Sequence, residues 1–209
     1  MERLKIIVLF SLALFLFGCN KGAGEFSITG TISDETFGTG LDQAFVKIYK
    51  VPVASNTEVF VASQTIGTDG KYHFTVPRER MEKYIIRVTK NLYFPIEKTI
   101  YFSELKLKTD NVFPLSTWAK SWVELKFINN NPLPQDHFQY IKQDGYGSCP
   151  ECCPISAQDL YGAVDTSIYC INKGNTIYSL LYWVFNTSNQ GYLEANTTAF
   201  DTTQIYLSY

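Results

Sequence analysis

Thr68-Asp69-Gly70-Lys71-Tyr72-His73-Phe74-Thr75-Val76 carries, in nine residues, the pattern that the rest of the chain repeats. Asp69-Gly70 is a turn signal, because glycine takes positive φ without a Cβ clash. Behind the turn, Tyr72, Phe74 and Val76 alternate with Lys71, His73 and Thr75. A period of two gives a strand one apolar and one polar face. Turn and alternation together predict a β-hairpin centred on Asp69-Gly70. Outward from it the same period recurs. Phe26, Ile28 and Ile32 alternate with Ser27, Thr29 and Thr31; Ala44, Val46 and Ile48 oppose Phe45, Lys47 and Tyr49. Tyr84, Ile86 and Val88 follow, with Arg87 facing out. No apolar period of 3.6 residues and helical length occurs beyond the N-terminal segment. Short strands separated by turn signals argue for a β-sandwich.

Three pieces of this first half match a known family. They are Ile28-Thr29-Gly30-Thr31-Ile32-Ser33-Asp34, then Gly40-Leu41 ahead of Ala44-Phe45-Val46-Lys47-Ile48, and last Gly67-Thr68-Asp69-Gly70-Lys71-Tyr72-His73-Phe74. The chain here resembles the carboxypeptidase regulatory-like domain of the transthyretin-type sandwiches, over residues 26–115. The resemblance implies a seven-stranded sandwich used as an accessory, spacer or binding module. Its motifs are turn and core positions, so they bring no chemistry with them, and a fold by itself names no function.

Proline cannot donate to a sheet ladder and tends to close a strand, so Pro114 places a joint at residues 114–117. Beyond it, Ser121, Val123, Leu125 and Phe127 alternate with Trp122, Glu124 and Lys126. Phe138 and Tyr140 mark a short strand, and residues 177–185 are almost continuously apolar. A strand apolar on both faces is central, or covered on its second side by another domain. Leu193 and Ala195, then Ile205 and Leu207, complete a second sandwich over residues 117–209. The expected fold class is therefore all-β, with two consecutive Ig- or transthyretin-like β-sandwich domains.

The first residues read as an export signal. Arg3 and Lys5 give a positive start, and residues 6–17 are apolar apart from Ser11. Such a run rises about 18 Å as a helix, short of the roughly 30 Å hydrocarbon core. A basic start, a short apolar run and small residues make a cleaved signal peptide over residues 1–18. Leu16-Phe17-Gly18-Cys19 resembles a bacterial lipobox, although Phe17 stands where a smaller residue is usual. That resemblance implies a lipidated Cys19 followed by a tether over residues 19–25. Two or more acyl chains, at about 0.8 kcal/mol per buried methylene, anchor stably. The expected address is the cell envelope, at the outer membrane, with the membrane itself as one partner. The chain has a formal charge of −2, its charges scattered rather than in runs, which excludes a basic surface for nucleic acid.

Cys149, Cys152, Cys153 and Cys170 form the densest polar constellation. An exported chain meets an oxidising compartment, so these four read as two disulfides. Bridging the neighbours Cys152 and Cys153 strains the intervening peptide. Both remaining pairings tie the cysteine-rich segment to Cys170; Cys149–Cys152 with Cys153–Cys170 is favoured, and the other stays open. The sharper rival is a four-thiolate zinc site on Cys149-Pro150-Glu151-Cys152, for which the second spaced pair is missing. A thioredoxin-like role needs a βαβ setting.

His73 and His137 fall in distant regions, which leaves no triad and no histidine-based metal site; both are expected as surface side chains. Asp34, Glu35, Asp69 and Asp110 sit at expected turns, where Asp bonds its own backbone. No catalytic residue, metal or cofactor is expected. Most of the aromatic residues, 15% of the chain, are expected in cores and cross-strand pairs. Trp118 and Trp122 differ, because alternation sets them beside Lys120, Glu124 and Lys126, where they would contact a ligand or the neighbouring domain. The reading that follows is a non-catalytic envelope lipoprotein, with an envelope protein or a glycan as partner; a carbohydrate-binding surface lipoprotein is the alternative.

Overall fold

The computed structural model describes residues 24–209; the expected signal peptide, Cys19 and all but the last two tether residues lie outside the described residues. The first half contains β1 (Glu25–Asp34), β2 (Thr39–Gly40), β3 (Phe45–Pro52), β4 (Val59–Thr65), β5 (Lys71–Pro77), β6 (Met81–Thr89), β7 (Ile96–Tyr101), β8 (Asp110–Val112) and β9 (Leu115–Thr117). The second contains β10 (Lys120–Ile128), β11 (His137–Asp144), β12 (Gln158–Tyr161), β13 (Asp165–Lys173), β14 (Ile177–Val184), β15 (Gln190–Asn196) and β16 (Thr202–Ser208). The two helical turns among the described residues are 3-10 in type, Phe102–Glu104 and Pro150–Cys152.

The alternation read from the sequence becomes burial. Along β1, Phe26, Ile28 and Ile32 are buried; along β5, Tyr72, Phe74 and Val76 are buried while Lys71, His73 and Thr75 are exposed. In β10, Ser121, Val123, Leu125 and Phe127 point inward. Two separate hydrophobic clusters result, one in each half.

Both halves are wound the same way. In the first, β1 lies between β5, antiparallel, and the interrupted pair β8 and β9, parallel; the facing sheet has the order β4-β3-β6-β7. In the second, β10 lies between β13, antiparallel, and β16, parallel, facing β12-β11-β14-β15. Each half thus sets its first strand between its fourth and its last, with β2 a short addition to the first half. Gly30 is required where the interrupted edge strand crosses β1: a Cβ there would sit 2.2 Å from the Phe113 carbonyl oxygen.

Two expectations need correction. Asp69-Gly70 does not close a hairpin within one sheet, because β4 pairs β3 while β5 pairs β1. The turn carries the chain from one sheet to the other. Gly70, at φ 67°, presses on β1, where a Cβ would meet the Ile32 carbonyl oxygen at 2.4 Å. Turn chemistry specifies a reversal; partner strands are chosen by the core. The joint expected at residues 114–117 is also displaced. β9 pairs with β1, and Thr117, buried, donates its hydroxyl to the Phe94 carbonyl at 2.6 Å. Pro114 breaks the edge strand into β8 and β9 rather than ending the half. The chain leaves the first half at Trp118 and Ala119.

Candidate functional site

Three places gather polar or aromatic side chains: the joint, the cysteine loop and one open sheet face. At the joint, Ala119 is fully buried in the first half's core, and its carbonyl accepts from Gly174 N–H at 2.8 Å. Gly174 is required there, since a Cβ would meet Ala199 at 2.7 Å. Phe200 lies in the turn before β16 and sets its ring 5.4 Å from Tyr93 and 5.9 Å from Phe37, both of the first half. Phe94 meets Tyr146 edge-on at 4.5 Å. Beneath these rings the buried Asp34 accepts from the Tyr93 hydroxyl at 2.7 Å and from the amides of Thr36 and Phe37. Burial first, and then Asp34, push the Tyr93 phenol well above its ordinary range.

Trp118 belongs to this joint. Its carbonyl accepts from Phe94 N–H at 3.1 Å, and the Lys173 ammonium lies over its ring at 4.7 Å. Trp122 sits two residues into β10, on the outer face, in register with Ile171 and Thr202. The two tryptophans therefore occupy different settings, a seam and an open face.

The four sulfurs pair as Cys149–Cys152 and Cys153–Cys170. With these four thiols bonded to one another, none of them remains as a thiolate for zinc. The loop they staple is held from inside by Lys142 of β11. This lysine is buried, and its ammonium donates to the carbonyls of Tyr146, Cys152 and Cys153 at 2.9, 2.7 and 3.0 Å. Burial lowers its pKa from the usual lysine range. Asn172, also buried, accepts from Tyr146 N–H at 2.7 Å and fixes the loop's start. Neither anchor is legible in the sequence, because a lysine and an asparagine on inward positions read as breaks in the pattern.

The third place is the outward face of the sheet β12-β11-β14-β15. Register aligns its side chains in rows: Tyr161, His137 and Phe185; then Asp159, Gln139, Trp183 and Gln190; then Ile141, Leu181 and Tyr192. His137 is stacked between Tyr161 at 4.4 Å and Phe185 at 4.1 Å. Its Nε2 lies 2.6 Å from Asp159 Oδ1, which also accepts from Gln139 Nε2 at 2.9 Å. Those hydrogen bonds, that from His137 foremost, hold the Asp159 carboxyl below the usual range. His137 is thus built into an aromatic row, a role that its position beside Asp136 in the sequence does not reveal. Among the described residues no group of three or more His, Cys, Asp or Glu side chains is placed to hold a metal ion.

Fold and sites together define an all-β protein of facing sheet pairs, with oxidised cysteines and an open aromatic face. No family model and no curated protein matches the chain. Among solved structures it is similar to catechol 1,2-dioxygenase from Acinetobacter sp. ADP1, with 12% identity over 48% of this chain and 54% of that one at a TM-score of 0.35. It is also similar to the Bacillus anthracis TIE protein, with 15% identity over 88% of this chain and 34% of that one at a TM-score of 0.40. GBS52, the minor pilin of Streptococcus agalactiae, overlaps 88% of this chain and 94% of its own at 11% identity and a TM-score of 0.38. The chain spans about half the length of the dioxygenase and a third of the TIE protein. At such scores no residue role is carried over, and the architecture stands on its own strand order and register.

Proposed function

We propose that this chain is a membrane-anchored envelope lipoprotein, a non-catalytic binding or structural module of two β-sandwich domains, divided at Trp118 and Ala119. Its first domain is of the carboxypeptidase regulatory-like, transthyretin type, a reading supported by the seven-strand layout and by Gly30 and Gly70 at the close approaches that the matching motifs require. Cys19 carries the lipid, and the outer membrane is its site. One observation carries the functional part. The polar groups that would have to converge for chemistry are used to hold structure: the cysteines are cross-linked, Lys142 is bonded to three carbonyls, and Asp34 caps its own turn and Tyr93. The His137–Asp159 pair has only rings and an amide beside it, with no nucleophile in hydrogen-bond reach among the described residues. A base without a nucleophile or a substrate-positioning cavity does not make an acid–base centre.

Mass spectrometry of the mature N-terminus tests the anchor, with a diacylglyceryl-modified Cys19 expected and a free amine at any other residue overturning it. Cross-linking on intact cells, followed by identification of what is captured, tests the module. The carbohydrate-binding alternative is favoured by one feature, the open aromatic face.

A further inference from the structure

β14 is apolar on both sides, and a strand of that kind inside a sheet calls for cover on each. Inward, Tyr178, Leu180 and Val184 meet the second core. Outward, Leu181, Trp183 and Phe185 face away from it, and their surroundings stay open: Phe185 is 42%, Tyr192 47% and Tyr161 63% exposed. The first domain, which would have supplied the cover, docks instead at the far loops through Phe200 and Ala119. Neither the core nor the joint accounts for aromatic side chains in this position. Contiguous exposed apolar surface of this kind marks a place where something binds.

The geometry points to a neutral saccharide chain as the occupant, lying across the sheet β12-β11-β14-β15 with its sugars stacked on Trp183 and Tyr192. This deepens the reading of the chain as a binding module and rests on it. A pyranose ring offers a face of C–H groups and a rim of hydroxyls. The electron-rich faces of aromatic rings suit the C–H groups, and side-chain amides suit the hydroxyls because each both donates and accepts. Both parts are present. Trp183 and Tyr192 flank a depression of about 390 Å3, lined also by Leu181, Gln190, Gly191 and Tyr182, the last reaching it from the core side. That volume lies within the roughly 300–1,000 Å3 range of small-ligand sites. Cross-strand register puts Gln190 directly opposite Trp183, and Gln139 on its other side. Asp159 takes its bonds from His137 and Gln139 on Oδ1, and no hydrogen bond to Oδ2 is formed among the described residues.

Charge selects among saccharides. The depression itself carries no formal charge, and the charged outward residues around it are Asp159, Glu194 one row beyond Tyr192, and Asp144 opposite Ser179 in that same row. A uronic or sulfated chain would meet these three carboxylates there; a neutral one meets acceptors for its hydroxyls. Strands are about 4.8 Å apart, and successive outward residues about 7 Å. The rings therefore form a diagonal from Tyr192 through Trp183 to the Tyr161–His137–Phe185 row, long enough for several sugars in line.

Titration of the full exported chain, held in detergent, against linear oligosaccharides of glucose, xylose, mannose and N-acetylglucosamine tests this, with oligogalacturonide as the anionic control. At least one neutral chain should bind with a Kd below about 1 mM. Trp183→Ala and Tyr192→Ala should each weaken it by about tenfold or more. Gln190→Ala, an outward change that leaves the core untouched, should also weaken it and guards against a ring variant that misfolds. Trp118→Ala and Trp122→Ala should leave binding unchanged. Absence of binding by every neutral chain, preference for the oligogalacturonide, or full binding by the Trp183 and Gln190 variants would each overturn the proposal. A photo-cross-linker at position 192 that captures a protein, with no sugar bound, would replace the occupant while the binding-module reading survives. An unlipidated N-terminus would sink the anchor and leave the titration readable.

Discussion

Lys142 shows what a single residue does in this fold. A charged side chain at an inward strand position is costly unless it is hydrogen-bonded, and here three carbonyls from the cysteine loop take its three protons. Lys142→Met keeps the stem and deletes the donors, so it should lower stability by about 2 kcal/mol through the orphaned carbonyls. The urea midpoint should fall with an unchanged slope; an unchanged midpoint would show that the loop holds without the ammonium. Residues of this kind were poorly legible in the sequence. Asp34 reads as a turn residue bonding its own backbone, and it does so, yet its second oxygen reaches Tyr93, which is 59 residues on. His137 reads as an ordinary surface side chain, yet it stands between two rings because register brings Tyr161 and Phe185 to its flanks. The cysteines were legible, since oxidation and chain geometry leave few pairings. Local chemistry can be read from local sequence; partners from distant strands cannot.

Among the elements, strands whose two faces differ in polarity were legible, as was β14 from its unbroken apolar run, while strands of mixed polarity were not. β1, β3, β5, β6 and β10 announce themselves by alternation. β13 does not, because it puts Tyr169 and Ile171 outward while burying Asn172, so its polarity is partly inverted. The repeat of one strand order in both halves was likewise hidden, as it resides in pairing rather than in residues. The two disulfides act on different elements and should differ in weight. Cys153–Cys170 closes a 17-residue separation and fastens the loop to β13, whereas Cys149–Cys152 spans three. In the chain-entropy account the longer closure contributes about 3 kcal/mol and the shorter one less. Cys153→Ser with Cys170→Ser should therefore lower the unfolding midpoint well beyond Cys149→Ser with Cys152→Ser. Equal losses would mean that Lys142 and Asn172 already fix the loop and that the cross-links add little.

The whole molecule adds a pH dependence and a shape. Burial raises the phenols of Tyr72, Tyr84 and Tyr178, and burial with Asp34 raises Tyr93, all far above the usual tyrosine range. Above about pH 10 the unfolded chain ionises these groups while the folded one holds their protons, so stability that is complete below pH 10 is lost as the pH climbs. Lys142, lowered by burial, works in the opposite sense, a single group against several phenols. Thermal midpoints should fall between about pH 10 and 12, and a flat profile would contradict the burial of these rings. Shape depends on the joint, where the sequence pointed to Trp118. The structure shifts the weight to Phe200. Trp118 contributes its carbonyl to Phe94, which alanine would keep, and its ring carries Lys173 of its own half. Phe200 is held at φ 67°, a left-handed conformation that costs a non-glycine residue roughly 1–2 kcal/mol. That cost is met because the conformation delivers the ring between Tyr93 and Phe37. Phe200→Gly removes the ring and the strain together, so global stability should hold while the joint opens. Small-angle scattering should show a broader distribution of overall dimensions, and the amides of Phe94 and Lys120, which bond across the seam, should exchange about tenfold faster. Trp118→Ala should change both readouts less. Should Trp118→Ala loosen the joint as much as Phe200→Gly, the indole and not the left-handed phenylalanine would be what fixes the angle between the two halves.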